Sequence, residues 1–429
     1  METGRSQAST RPCHGRIWAI IAFAMITHVA HATPTIDITS VEQRWPWNNK
    51  LDISYLVRDG QDVSNNEFYR LEFVATIGGV QYLIDGVTNV GASAASGPHT
   101  VTWMLPAGLR TTNCTMVASI YPADGPSGDD YMIIDLDSGK VSYEGLLASQ
   151  GDSNVRYNKD EYKNAKLVLR KVPAGGTYPT GDNKNYSTVN GVTNWVTDLD
   201  FYVGIFPVTQ AQYIRLCGKN PSGWSKNYNN NYSATEITNR PAEAVSYYML
   251  RGENAIPTDE VGSKADGTFL ERLNALTGMG GFDLPTEVMH EIAQRAGVTN
   301  VFSWGNSGDL EVIEQYAIGS TNNGNSRNNN TGVSVAVGSL LPNNWGLYDT
   351  SGNCWEWCRD DGSLSNLKDA PDPWTPAYMP GTTDFRRRGG GHCRDSLTAV
   401  GTRASTRGST QAGTTTSWMN GFRVYRIMR

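Results

Sequence analysis

The chain has 429 residues, of which 39% are hydrophobic and 18% charged, and its formal net charge is −6. This composition excludes a coiled-coil or disordered chain, and the acidic balance without a basic tract argues against a nucleic-acid partner. The length favours one large and one small domain over a single hydrophobic core.

The N-terminal residues 1–32 have the pattern of a signal peptide. Arg5, Arg11 and Arg16 precede an uncharged apolar stretch at 17–26, and the small-x-small sequence Ala30-His31-Ala32 follows. The apolar stretch is short for a membrane span, although an uncleaved anchor is the alternative. We expect a secreted, periplasmic or cell-surface protein with no membrane span after cleavage.

Residues 33–145 are predicted to form a small all-β domain. Leu51, Ile53, Tyr55 and Val57 alternate with mostly polar neighbours, as in a half-buried strand, and segments near 69–73, 100–103 and 115–120 repeat this period. Short strands at this spacing favour a β-sandwich of immunoglobulin-like type. A polar stretch makes residues 146–165 the predicted linker.

The amino-acid composition changes in the region 166–429, where short apolar segments lie among long loops rich in Gly, Asn and Ser. One helix is predicted over 285–296, with Thr286 as its N-cap and Gly297 as its end, and a second over Gln210 to Cys217. The fold class is therefore predicted to be α+β.

Beyond residue 32 the chain has five cysteines: Cys114, Cys217, Cys354, Cys358 and Cys393. Outside the cytosol, an odd count leaves at least one cysteine without an intrachain partner. We expect one or two structural disulfides and a leftover thiol, with the pairing open. The cysteines do not have the spacing of a zinc site.

Several motifs of the region 166–429 occur in the order found in one known family. They are Val203–Tyr213, Arg240–Tyr247, Leu284–Glu287, Phe302–Gly305, Asn344–Trp357, Arg388-Gly389-Gly390 and Gly421-Phe422-Arg423. In this order they resemble the formylglycine-generating enzyme (sulfatase-modifying factor) family. The resemblance implies a loop-rich domain related to the C-type lectin-like fold, here preceded by the small β-sandwich. The arginines at 403, 407 and 423 are expected to be partly buried and to bond carboxylates or carbonyls.

Enzymes of that family oxidise a cysteine of sulfatases to formylglycine with oxygen and a copper ion held by two thiolates. Counted without gaps from Gly389-Gly390, the two thiolate positions fall on Arg394 and Ala399. A one-residue deletion places Cys393 at the first position, and the second is then Thr398. The sequence thus retains at most one ligand, does not favour copper, and leaves Cys393 as the single candidate catalytic residue.

The resemblance also predicts a ligand groove formed by Trp355, His392 and Arg394. Trp355 borders the active groove in the resembled enzymes, although a core position is the alternative. His392 could activate the neighbouring Cys393 thiol, whereas a structural or disulfide-bonded Cys393 is the simpler interpretation.

A calcium site is predicted in the loop before Trp357. The family binds calcium there with hard oxygen donors, and the matching positions are Asp349, Gly352, Cys354 through its backbone carbonyl, and Glu356. The alternative is a loop held by hydrogen bonds alone.

The leading hypothesis is an exported binding module that lacks copper oxidase activity and takes a peptide, glycan or protein ligand. One alternative is a formylglycine-generating oxidase acting on sulfatase cysteines. Another is a variable lectin-like display protein whose changeable surface is 391–420. Whether the protein is an enzyme stays open, with a non-enzymatic role favoured.

Overall fold

The structure is a computed structural model that describes residues 34–43, 50–60, 68–84, 92–105, 114–123, 128–146, 155–181, 192–223, 233–252, 267–322, 334–363, 367–379, 381–389, 397–398 and 401–428. The predicted signal peptide, residues 1–32, lies outside them. The chain divides into two compact units, one formed by Met1–Ile133 with Val141–Ser149 and the other by Ile134–Lys140 with Gln150–Arg429. Among the described residues, no helix has both the length and the apolar character that crossing a membrane requires.

The first unit contains two three-stranded antiparallel sheets, in the orders β1-β2-β5 and β4-β3-β6. Leu51, Ile53, Tyr55 and Val57 are all buried in β2, which confirms the predicted alternation. Both sheets contribute side chains to one hydrophobic cluster. The strands are β1 (Thr35–Gln43), β2 (Lys50–Arg58), β3 (Phe68–Ile77), β4 (Val80–Ile84), β5 (Gly97–Met104) and β6 (Cys114–Ala123).

The division between the units runs through the segment that holds β7 (Tyr131–Asp135) and β8 (Val141–Glu144). The turn that follows β7 is closed by hydrogen bonds from the backbone N–H of Asp135 to the carbonyl of Lys140 and from Gly139 to Asp135. Asp135 also caps the turn, since its carboxylate accepts from the backbone and the hydroxyl of Ser138.

The second unit combines short strands with short helices and long connections. Its strands are β9 (Lys166–Val172), β10 (Thr177–Thr180), β11 (Thr193–Val196), β12 (Phe201–Gly204), β13 (Phe282–Asp283), β14 (Trp355–Asp361), β15 (Asp384–Arg388), β16 (Gln411–Ala412), β17 (Asn420–Gly421) and β18 (Tyr425–Ile427). Strands β13-β18-β12-β9 are neighbours in one sheet, and β16-β15-β14-β17 form another. The helices are α1 (Asp160–Asn164), α2 (Gln210–Cys217), α3 (Ala234–Thr238), α4 (Tyr247–Arg251), α5 (Phe269–Thr277), α6 (Glu287–Arg295) and α7 (Leu310–Ile313).

Both predicted helices form where their local signals lie. Helix α2 starts with a reciprocal capping box, in which Thr209 and Gln212 each bond the other's backbone N–H. Helix α6 begins after the N-cap Thr286, whose hydroxyl accepts from the backbone of Met289 at 3.1 Å. It ends at Ala296, which takes the left-handed conformation (φ 51°) one residue before the predicted Gly297.

Candidate functional site

Trp355 opens β14 and lies half-buried against the neighbouring β15. The Arg387 guanidinium lies over its ring, 5.4 Å from the ring centre, and donates to the side chain of Asn420 at 2.7 Å. A Cβ on Gly408 would lie 3.1 Å from the same ring. The Trp355 indole is therefore fixed in place by a cation and a close backbone.

The structure places only one of the three predicted groove residues. Trp355 is described, whereas His392 and Arg394 lie outside the described residues, as does the candidate catalytic Cys393.

The two cysteines nearest to Trp355 in sequence are buried. Cys358 is fully inaccessible, and burial, together with the nearby Glu287 and Asp360, raises the pKa of its thiol well above the usual range. Cys354 packs against Gly421, where an added Cβ would lie 2.8 Å from the sulfur. The segment is a strand rather than a helix, so the two sulfurs are not one helical turn apart.

The expected disulfides do not form among the described cysteines. Cys217 is the last residue of α2, whereas Cys358 lies inside β14. The Cys114 thiol donates to the carbonyl of Thr115 at 3.7 Å.

Of the predicted calcium ligands, Asp349 is buried in the left-handed conformation (φ 52°), and its carboxylate accepts from the backbone N–H of Gly338 at 2.7 Å. Burial raises the pKa of Asp349. The carbonyl of Gly352 accepts from the backbone N–H of Cys354 at 2.8 Å. Among the described residues, His, Cys, Asp and Glu side chains form no metal-holding group of three or more. Calcium binding therefore stays a prediction.

Glu356, the fourth predicted calcium ligand, lies in a buried ion pair. Arg423 donates to its carboxylate from Nη2 at 2.9 Å and from Nε at 3.1 Å, and His290 Nε2 lies 3.0 Å from Oε2. Although burial opposes ionisation, Arg423 and His290 hold the pKa of Glu356 below its usual range. Burial lowers the pKa of His290. Any ion at Glu356 would have to share the carboxylate with a guanidinium.

Helix α6 supplies two further buried carboxylates that sequence reasoning missed. Glu287 accepts from Arg407 at 2.9 Å, and Glu291 accepts from Arg295 at 2.8 Å and from Arg388 at 2.5 Å. All nine residues of the helix are buried, the charged ones included. The spacing of Glu287, Glu291 and Arg295 at every fourth residue was the available signal.

The predicted bonding of these arginines to carboxylates or carbonyls is confirmed at two positions. Arg407 bonds Glu287, and Arg423 bonds Glu356 and the carbonyls of Gly204 and Tyr348 at 2.8 and 2.7 Å. Each arginine joins parts of the chain that are distant in sequence.

Comparison with known proteins shows the family. Residues 158–428 match the family described as sulfatase-modifying factor enzyme 1-like domain. A curated relative, the chaperone protein LppX of Paenibacillus barcinonensis, is 28% identical over 230 residues, which are 50% of this chain and 76% of that protein.

Similar solved structures include Treponema denticola variable protein 1 (19% identity, TM-score 0.47, 61% of this chain and 95% of that one). PvdO from Pseudomonas aeruginosa is 20% identical with a TM-score of 0.44, and the match covers 61% of this chain and 94% of that one. With the family match spanning most of the second unit, the chain belongs to the sulfatase-modifying factor enzyme 1-like domain family.

Proposed function

We propose that the protein is an exported binding module whose family domain does not carry out dithiolate copper oxidation. The observation that supports this proposal most is the burial and packing of Cys354 and Cys358. A cuprous dithiolate site needs two deprotonated sulfurs that reach one ion. Cys358 is fully buried with a raised pKa, and the Cys354 sulfur packs on Gly421. Neither fits as a replacement for the ligand that the sequence lacks beside Cys393.

A binding role agrees with the curated relative that is described as a chaperone protein. The signal-peptide pattern of residues 1–32 supports export to the cell surface, the periplasm or the medium. The first unit, with two antiparallel sheets around one hydrophobic cluster, supports an immunoglobulin-like sandwich that acts as a spacer.

A copper(I) titration tests the proposal. The purified full-length protein competes with a chromogenic copper(I) chelator under anaerobic conditions, beside an active formylglycine-generating enzyme as control. We expect no competition from this protein at chelator concentrations where the control removes the ion. Tight binding of one copper that is lost in Cys393→Ser would contradict the proposal and favour the oxidase.

A further inference from the structure

One exposed loop of the second unit combines an indole with hydroxyl groups. In the loop Gly413–Trp418, which we call the 413–418 loop, Thr414, Thr416 and Trp418 are exposed at alternating positions. Trp418 is 53% exposed and is the aromatic member of the exposed large hydrophobic residues in the described part of the chain. Tryptophan is enriched at interfaces, because its ring has a large apolar area beside a polar N–H group.

The backbone fixes the 413–418 loop at both ends. At its start, Gly413 donates to the carbonyl of Thr383 at 2.6 Å and accepts from the backbone of Tyr248 at 3.1 Å. A Cβ on Gly413 would lie 2.6 Å from the Tyr248 ring, so the close approach requires glycine. Just after the loop, the carbonyl of Met419 accepts from Trp355 at 2.8 Å. A loop held this way loses little entropy when it binds a ligand.

Residues 243–244 connect the 413–418 loop to a second loop at residues 222–223. The backbone N–H of Ala244 donates to the carbonyl of Ser417 at 3.1 Å, while that of Glu243 donates to the Ser222 hydroxyl at 3.1 Å. Gly223 thereby lies against the indole, and a Cβ built on it would be 2.5 Å from the indole nitrogen of Trp418. The left-handed backbone of Ala244 (φ 57°) costs free energy that the surrounding bonds must offset.

The 413–418 loop itself is neutral and polar. Residues 408–422 contain no ionisable side chain. The side chains of Thr414 and Thr416 are exposed, and each hydroxyl can donate one hydrogen bond and accept two. A charged ligand would find no ion-pair partner in this segment, and a large apolar ligand would find one indole with hydroxyls around it.

We propose that the 413–418 loop binds an uncharged saccharide, with Trp418 packing on the C–H face of one sugar ring. Sugars present apolar C–H faces and hydroxyl edges side by side, which match an indole beside Thr414 and Thr416. This inference names the ligand of the proposed binding module and therefore rests on that proposed function.

The test is a glycan array probed with the purified full-length protein, followed by calorimetric titration of the best neutral oligosaccharide. The array holds neutral hexose and N-acetylhexosamine oligosaccharides together with uronate-containing and sulfated ones. Trp418→Ala removes the indole, and Gly223→Ala displaces it by adding a Cβ. Leu341→Ala, which truncates another exposed apolar residue (49% exposed), is the matched control.

We expect a neutral oligosaccharide to bind, Trp418→Ala and Gly223→Ala to weaken it by about ten-fold or more, and Leu341→Ala to bind as the wild type does. Binding only to the acidic glycans, binding to none, or equal binding by Trp418→Ala overturns the saccharide proposal, as does a peptide ligand at this loop. None of those results alters the outcome expected of the copper titration. A failure of the saccharide proposal can therefore be distinguished from a failure of the proposed function.

Discussion

Arg423 and Glu356 form a fully buried ion pair between residues 67 positions apart, with a guanidinium that contacts both carboxylate oxygens. The pair ties the start of β14 to the segment that leads into β18. Because the same guanidinium also donates to the carbonyls of Gly204 and Tyr348, one side chain joins four parts of the second unit.

Removing the guanidinium should strongly destabilise the second unit. Arg423→Met leaves Glu356 buried without its cation, and we expect the free energy of unfolding to fall by about 3–5 kcal/mol. Urea denaturation followed by tryptophan fluorescence measures it. Lys166→Met, which breaks the partly exposed pair with Glu161, is the control with an expected loss of less than about 1 kcal/mol. Equal losses in both variants would contradict the account.

Asp360 should give the protein a pH-dependent stability. Its carboxylate accepts from the backbone of Glu287 and Ala377, and burial with the neighbouring Glu287 raises its pKa from 3.8 to about 7. A raised folded pKa gives a stability contribution that is present below about pH 4 and is lost as the pH rises through 7.

Asp360→Asn tests this contribution. Relative to the variant, we expect the wild type to lose stability between pH 4 and pH 8, by an amount on the order of a few kcal/mol. The two proteins are compared by how their free energy of unfolding changes with pH. Its absolute value is not compared, because the introduced amide also changes the hydrogen bonds. Parallel pH profiles for the two proteins would show that Asp360 does not titrate in this range.

The Cys358 thiol should resist alkylation in the folded protein. It is fully buried with a raised pKa, whereas Cys217 is half-buried at the end of α2. We expect iodoacetamide at pH 7.5 to label Cys217 at least about ten-fold faster than Cys358, with both labelled in urea. Peptide mass spectrometry reads the sites, and comparable native rates would mean that the Cys358 sulfur is accessible and could serve a metal.

We expect calcium to raise the thermal stability by binding at the predicted site. The variant that tests the site is made at Asp349 rather than at Glu356, because Glu356 already contacts Arg423 and His290. We expect calcium to raise the unfolding midpoint of the wild type and of Glu311→Ala, an exposed control, but not of Asp349→Ala. An unfolding midpoint of the wild type that changes neither with calcium nor with a chelator would mean that hydrogen bonds alone hold the loop.

Local signals in the sequence predicted α2, the N-cap of α6 and the alternating β2, because each depends on residues close together in the chain. The charge network around α6 depends on Arg388, Arg407 and Arg423, which come from about a hundred or more positions later. Motif order in the sequence identified these arginines, but their carboxylate partners and the raised pKa of Asp360 follow from packing that no local pattern encodes.

The most direct test of the central claim is mass spectrometry of a sulfatase-type cysteine peptide incubated with the purified protein, copper, oxygen and reductant. An active family member under the same conditions provides the positive control. The account predicts that this protein leaves the cysteine unconverted while the control forms formylglycine. Formylglycine formed by the wild type and absent with Cys393→Ser would contradict it.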